Sequence, residues 1–315
     1  LIAIVRADGA VPRWGSTKNL DKDHQGGTMR YVAAKTADEA AGLLAKEPGL
    51  ARVLAGGTDL LVQLKAGMVE PDLVVDIKKI PGMRDVTAEN GGFRIGAAVS
   101  GAELGEHKGV VALWPGVVEG FELIGSTQVQ GRATMVGNLC NGSPAGDAVP
   151  GLVAANATVG ITGPNGNREC AVLDIPAGPG KTTLAKGEII TSIFLPTRPK
   201  AAADAYLRFI PRTEMDIAVA SAGVSLELAS DGTVSAARVA LGAVAPKVLL
   251  VSDAGAAIVG SKLEEVALAA LAKACEAACN PIDDKRGTIE FRTKTAGVLA
   301  RRAALIAYQR AGGSK

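Results

Sequence analysis

Residues 53–61 read Val-Leu-Ala-Gly-Gly-Thr-Asp-Leu-Leu. A short apolar run ends in paired glycines, a hydroxyl and a carboxylate follow, and the chain then turns apolar again. That is the pattern of a strand entering a tight turn that opens a helix. Gly56 and Gly57 have no Cβ, so they reach positive φ and let another group approach bare backbone. Thr58 or Asp59 suits the N-cap position. The first amides of a helix have no intrahelical partner and carry partial positive charge. Together these features make a seat for a phosphate or diphosphate. The same residues, taken alone, also describe an ordinary glycine turn capped by Thr or Asp.

The flanking patterns set this turn in a small sheet. Tyr31–Ala34 reads as a strand, and Thr36 with Glu39 three residues on predicts a capping box. Ala40, Ala41, Leu43 and Leu44 give the helix that follows its apolar face. Ala51–Ala55 is the next strand, a helix runs from about Asp59 to Lys65, and Leu73–Asp76 is a third strand. The β-α-β-α-β order predicts parallel strands with covering helices, ending at Pro81-Gly82.

Composition narrows the function classes. Of 315 residues, 48% are hydrophobic and 21% charged, which supports a sizeable core in two or three domains. Aromatics are only 3%, against a base-stacking platform. The net charge of +2, without long charged blocks, excludes an electrostatic footprint for nucleic acid or a membrane surface. No apolar run approaches the ~20 residues of a membrane span. Cys140, Cys170, Cys275 and Cys279 form no dense framework, which fits a reducing, cytoplasmic compartment. His24 and His107 sit in no ligand pattern. Residues 1–28 are polar and turn-rich after a short apolar opening and read as a weakly ordered extension.

Further along, Phe93–Ala98 is a strand, Ser100 with Glu103 predicts a second capping box, and 113–125 is helical with Pro115 near its start. Residues 125–150, GSTQVQGRATMVGNLCNGSPAGDAVP, are crowded with small residues. Their glycines and polar side chains (Thr134, Asn138, Asn141, Ser143, Asp147) predict a loop lying along a polar ligand. Residues 188–195 form a strand. After about 203 the alternation predicts an antiparallel sheet from 205–210, 218–228 and 234–244, with an Asp231-Gly232 hairpin turn and helices near 263–278 and 293–310. Gly178-Pro179-Gly180-Lys181-Thr182 imitates the end of a triphosphate-binding loop, but position 175, where that motif needs glycine, is Ile. It reads as a surface turn. No Gly-x-Gly-x-x-Gly fingerprint follows a strand, which disfavours a nicotinamide-type fold.

Three stretches, Ala-Gly-Gly-Thr-Asp-Leu-Leu (55–61), Thr-Met-Val-Gly-Asn-Leu-Cys-Asn-Gly-Ser-Pro-Ala-Gly-Asp (134–147) and Gly-Glu-Ile-Ile-Thr-Ser-Ile-Phe-Leu-Pro (187–196), are similar in order and spacing to the FAD-binding subunits of the molybdenum hydroxylases. That family includes the medium subunit of aerobic carbon monoxide dehydrogenase and the flavin domain of xanthine dehydrogenase. Arg208–Ile217, with Arg212 and Asp216, resembles the family's next segment. The resemblance runs from about Met29 to the C-terminus. It implies an α+β fold: a two-subdomain FAD-binding fold of the vanillyl-alcohol-oxidase/PCMH type over 29–203 (subdomains about 29–86 and 87–203), then a C-terminal α+β domain over 204–315. It assigns the FAD diphosphate to Leu54, Ala55, Gly56, Gly57, Thr58, Asp59 and Leu60. Thr134, Val136, Gly137 and Asn138 fall along the second phosphate-and-ribitol stretch. Asn141 and Asp147 fall on hydrogen-bonding positions, Ile124 and Ile190 on apolar flavin contacts, and Arg208 where relatives often carry Lys.

The chain departs from that pattern in two places. Val136 stands where the family usually has glycine, so position 136 is either extended or part of a re-formed loop. Val129-Gln130-Gly131 stands where the family often has Ile-Arg-Asn. The scattered cysteines predict no iron–sulfur cluster in this chain. The resemblance implies electron transfer through FAD, with a molybdenum-cofactor large subunit and a [2Fe–2S] small subunit as partners, assembled as a dimer of heterotrimers, and no catalytic acid or base. The alternatives are a self-contained FAD oxidoreductase and an assembly subunit with a degenerate flavin site.

Overall fold

The computed structural model describes residues 29–313; the extension expected at 1–28 lies outside them. The first unit runs Arg30–Ala33 (β1), Ala37–Lys46 (α1), Ala51–Leu54 (β2), Leu60–Lys65 (α2) and Leu73–Asp76 (β3). Its strands are parallel in the order β1-β3-β2. Central β3 is buried along its whole length, as expected of a parallel strand covered on both faces. Thr36 caps α1 by accepting from the Glu39 amide at 3.1 Å. The predicted box is offset by one residue, because the Glu39 carboxylate takes the Lys35 amide at 2.7 Å.

The second unit begins with a hairpin, Val86–Glu89 (β4) and Gly92–Gly96 (β5). Six helices follow: Gly101–Glu106 (α3), Lys108–Leu113 (α4), Pro115–Glu122 (α5), Thr127–Gln130 (α6), Met135–Cys140 (α7) and Ala148–Ala154 (α8). The chain then returns through Thr158–Gly163 (β6), Gly166–Ala171 (β7), the small hairpin Pro176–Gly178 (β8) and Lys181–Thr182 (β9), and Ile189–Leu195 (β10). The sheet is antiparallel, in the order β4-β5-β10-β6-β7. The box at Ser100 is complete: Ser100 N donates to Glu103 Oε2 at 2.9 Å, and Glu103 N to Ser100 Oγ at 3.3 Å. The stretch expected as a loop over 125–150 is instead half helical, in α6, α7 and the start of α8. Its apolar residues Met135, Val136, Leu139 and Val149 are buried, and that burial overrides the poor helix propensity of Gly, Asn and Thr.

The third unit is Ala202–Phe209 (β11), Ala220–Leu228 (β12), Val234–Gly242 (β13) and Leu249–Leu250 (β14), then Ser252–Ala256 (α9), Glu265–Ala278 (α10) and Ile289–Arg310 (α11). The four strands form an antiparallel sheet in sequence order. Helix α11 packs on β11 and β12, and α10 packs on α11. Helices α5 and α8 of the second unit also pack on this sheet, and α8 is buried along its whole length. Glycine makes that approach possible. A Cβ on Gly223 would stand 2.7 Å from Pro150 O, and one on Gly116 would stand 2.7 Å from Ala205 Cα.

The linker is pinned as well. Arg198 lies over the Trp114 ring at 4.6 Å and pairs with Asp204 at 2.7 Å. Asp204 also accepts from Val117 N at 3.0 Å. The outer edge of β11 is met by side chains: Tyr206 N donates to Glu119 Oε2 at 3.2 Å, and Arg310 Nη1 to Asp204 O at 2.9 Å.

Candidate functional site

A cavity of about 470 Å³ lies between the first glycine turn and the second small-residue stretch. Its first wall is the path from β2 through the turn into α2. Gly57 has φ +79°, a conformation that costs other residues about 1–2 kcal/mol. Gly56 is where the two motifs meet, since a Cβ there would stand 1.9 Å from Arg132 O. Behind the turn, Lys78 Nζ donates to Ala55 O at 3.1 Å and to Asp76 Oδ2 at 2.8 Å. Tyr31 donates to the same carboxylate at 2.6 Å. Burial alone would push the Asp76 carboxyl up; the Lys78 and Tyr31 bonds outweigh it and hold it below the usual range. An ammonium therefore holds the Ala55 carbonyl at the entry to the turn.

The expected side-chain cap is not made. Asp59 takes the N-cap position of α2 with helical φ −99° and ψ −51°, and forms no cap hydrogen bond. A carboxylate on helical backbone does not fold back onto the next amides as one on extended backbone does. Partial burial pushes the Asp59 carboxyl up. Helix α2 has only 6 residues, so the seat relies on the local amides of the turn more than on a long helix dipole.

The second wall is α7. Thr134 caps it, its Oγ1 accepting from Gly137 N at 2.9 Å. Val136 is helical rather than extended, and buried, so valine meets no positive-φ requirement there. Asn138 Oδ1 accepts from Ala148 N at 3.2 Å. A backbone amide can only donate, which fixes the orientation of this side chain and leaves its NH2 group for a ligand. Asn141 follows at the end of α7, and Cys140 also lines the cavity. Burial pushes the Cys140 thiol up to about 12, far from a reactive thiolate.

Further lining comes from Ile124 beyond α5, Ile190 on β10, and Gly180, Leu184 and Glu188 between β8 and β10. The imitation phosphate loop is the tip between β8 and β9. It docks on the second motif, with Gly180 N donating to Gly142 O at 2.9 Å. Gly142 has φ +64°, and a Cβ there would stand 2.7 Å from Lys181 N. Glu188 pairs with Arg168 at 2.7 Å, which holds its carboxyl down at about 2.

Of the residues singled out in the sequence, Ala55, Gly56, Gly57, Thr58, Asp59, Leu60, Ile124, Thr134, Val136, Gly137, Asn138, Asn141 and Ile190 line one cavity. Three stand elsewhere. Leu54 packs behind the turn with Leu60 and Val74. Asp147 and Arg208 are buried against each other at 2.5 Å, and Tyr206 donates to the other Asp147 oxygen at 2.7 Å. Burial pushes the Asp147 carboxyl up, against the pull of Arg208 and Tyr206. Each of its oxygens accepts one bond from within the protein.

Residues not foreseen include Arg52, Gln63, Gly180 and Glu188 on the wall and Lys78 behind it. Arg52 and Lys78 are two basic residues among many, and no sequence pattern distinguished them. The site offers amides, hydrogen-bonding side chains and apolar contact. Among the described residues, no group of three or more His, Cys, Asp or Glu could hold a metal ion. No helix among them is long and apolar enough to cross a membrane.

Comparison with known proteins gives the relatives of the chain. The family described as "FAD binding domain in molybdopterin dehydrogenase" matches residues 27–198, and "CO dehydrogenase flavoprotein C-terminal domain" matches 205–307. The carbon monoxide dehydrogenase medium chain of Hydrogenophaga pseudoflava is 32% identical over 90% of this chain and 98% of its own. A putative xanthine dehydrogenase FAD-binding subunit of Escherichia coli is 30% identical over 90% of this chain and 97% of its own. A chain of reconstituted CO dehydrogenase from Oligotropha carboxidovorans superposes with a TM-score of 0.85 at 32% identity, covering 90% of this chain and 98% of that one.

Proposed function

Because the chain belongs to the family of FAD-binding subunits of the molybdopterin dehydrogenases, we propose that it carries FAD as the electron-transfer subunit of a heteromeric molybdenum-containing hydroxylase or dehydrogenase. The observation that carries this reading is the single cavity bounded by both glycine-bearing motifs, with Gly56 at their point of contact. Bare backbone at Gly56–Thr58, with Arg52 on the same wall, suits a diphosphate. Thr134, Gly137, Asn138 and Asn141 suit the ribitol and phosphate groups. Ile124 and Ile190 supply apolar contact for the flavin ring. When bound, FAD supplies the redox chemistry; the protein supplies position and electrostatics.

Reducing equivalents come from a molybdenum-cofactor large subunit through [2Fe–2S] clusters of a small subunit and leave to an external acceptor. The assembly is a dimer of such heterotrimers. The substrate belongs to the large subunit. We assign the first two units to the vanillyl-alcohol-oxidase/PCMH type of FAD fold, with boundaries near 86 and 203; the changes of sheet between Asp76 and Val86 and between Leu195 and Ala202 lie close to these and support the reading. The four free thiols suit the reducing cytoplasm.

The test is on the purified chain. It should carry FAD that acid precipitation releases, yellow, into the supernatant, because the Cys140 thiol is held protonated. Substrate should bleach that colour only when the partner subunits are present. Colour retained in the pellet, or substrate-dependent bleaching by the chain alone, contradicts the proposal.

A further inference from the structure

The glycine turn presents amides that the rest of the protein leaves alone. Among the described residues, the Gly56, Gly57 and Thr58 amides donate to no acceptor. A Gly-Gly pair also has the most backbone freedom to lose when it must hold one shape for a ligand. An anion seat built on such a turn binds well when something other than the ligand fixes its peptide planes beforehand.

One of those planes is fixed by a residue outside the cavity. Lys78 Nζ donates to Ala55 O at 3.1 Å. The peptide joining Ala55 to Gly56 is planar, and in the trans form its C=O and N–H point in opposite directions. Holding the carbonyl therefore also aims the Gly56 N–H. An ammonium bonded to the carbonyl polarises the same peptide and makes its N–H a stronger donor. Ala55, Gly56, Gly57 and Thr58 all line the cavity, and Lys78 does not.

Lys78 is held in its turn. Its Nζ donates to Asp76 Oδ2 at 2.8 Å, its own amide donates to Asp76 Oδ1 at 2.9 Å, and the Tyr31 hydroxyl donates to Oδ2 at 2.6 Å. The Asp76 side chain is only 7% exposed and ends the buried strand β3. Asp76 also neutralises the ammonium, so Lys78 acts through the bond it makes to Ala55 rather than as a free cation.

We propose that Lys78 is a positioning residue of the diphosphate seat: held by Asp76 and Tyr31, it fixes the Ala55–Gly56 peptide and keeps the Gly56 amide presented to a phosphate oxygen of FAD. The inference rests on the reading of the cleft as the FAD site. Arg30 and Glu47 form another ion pair with a buried carboxylate in the same unit, and neither lines the cavity, so that pair serves as a control.

The experiment strips FAD from the full chain. It then measures the FAD dissociation constant by flavin fluorescence, the phosphorus NMR shifts of FAD bound at saturation, and the melting temperature of the apoprotein. Lys78→Met removes the bond to Ala55 and leaves a buried carboxylate without its cation. It should lower the melting temperature, weaken FAD binding about 5–20-fold and move a phosphorus resonance. Adding Asp76→Asn removes the unpaired charge. The double variant should regain melting temperature and stay weak for FAD, a split that a merely structural role does not produce. Arg30→Met should lower the melting temperature and leave the dissociation constant and the phosphorus shifts unchanged. If Lys78→Met alone fails to fold, the double variant carries the test.

The inference is overturned if the double variant regains affinity together with melting temperature, if the phosphorus shifts stay at their wild-type values, or if Lys78→Met behaves like Arg30→Met. A wild type that takes up no FAD would sink the reading of the cleft itself, which is a different failure.

Discussion

The turn at 55–59 and the helix at 135–140 face one cavity, and both look alike in sequence: small residues, a Thr, an amide or carboxylate. The turn presents backbone. Gly57 needs its positive φ, Gly56 needs its missing Cβ beside Arg132 O, and the adjoining helix is short and without a side-chain cap. The helix presents side chains. Thr134 closes its first turn, Met135, Val136 and Leu139 anchor it in the core, and Asn138 and Asn141 line the cavity. Gly137 there is ordinary helix. The same residue type thus has different weight on the two walls, and only contacts distant in sequence show which weight applies.

The sharpest way to break this comparison is Gly56→Ala. The new Cβ meets main chain rather than a movable side chain, so the two motifs must part. The expected cost is about 3 kcal/mol of stability, with FAD binding weakened about 100-fold or more. Differential scanning calorimetry and a flavin titration check it, and a variant that holds FAD normally would refute the close approach as a binding requirement.

Gly57→Ala should cost less, about 1–2 kcal/mol from φ alone, because its Cβ meets the flexible ends of Leu54 and Leu61 at 3.1 and 3.0 Å. On the opposite wall, Thr134→Ala removes a cap, with an expected loss of about 1 kcal/mol. Gly137→Ala should be nearly silent. Crowding of the Thr134 hydroxyl at 2.8 Å is offset by the ~1 kcal/mol helix preference of Ala over Gly. If chemical denaturation ranks Gly137→Ala with Gly57→Ala, the contrast between the walls is wrong.

The smallest effect is electrostatic. Glu188 titrates at about 2 instead of its ordinary 4.5, because Arg168 bonds to it. A depressed carboxyl contributes stability that is fully present above its unfolded pKa and fades as pH falls through the folded one. With Arg168 largely in solvent, Glu188→Gln should cost no more than ~1 kcal/mol near neutral pH. The difference from wild type should vanish between about pH 4.5 and 2 in acid-unfolding curves.

Much of the fold was legible because it rests on local pattern. The Leu73–Asp76 run announces a strand, and Ser100 with Glu103 announces a helix start. The β4 strand was not legible, since Val86–Glu89 lies at a sheet edge and carries no clear apolar face. Helix α7 was missed because Val136, Gly137 and Asn138 are poor helix formers, held here by the Thr134 cap and by burial of their neighbours; the 4-residue α6 has no side-chain cap and buries nothing, so it leaves no pattern to read. In the site, the glycine turn and the Thr134–Asn141 stretch could be read from composition. Lys78 could not, since its role is to hold a carbonyl 23 residues away. Nor could the placement of Asp147, whose partners lie 59 and 61 residues along the chain.

The side chains that meet the edge of β11 have a consequence for self-association. An exposed edge strand is a template for another chain. Here Glu119 takes the Tyr206 amide and Arg310 takes the Asp204 carbonyl, while the opposite edge, β14, is only 2 residues long. This sheet offers little purchase at either end for intermolecular strand pairing. A subunit waiting for its partners is protected in this region against aggregation by sheet extension, and clumping of the isolated chain would have to begin elsewhere.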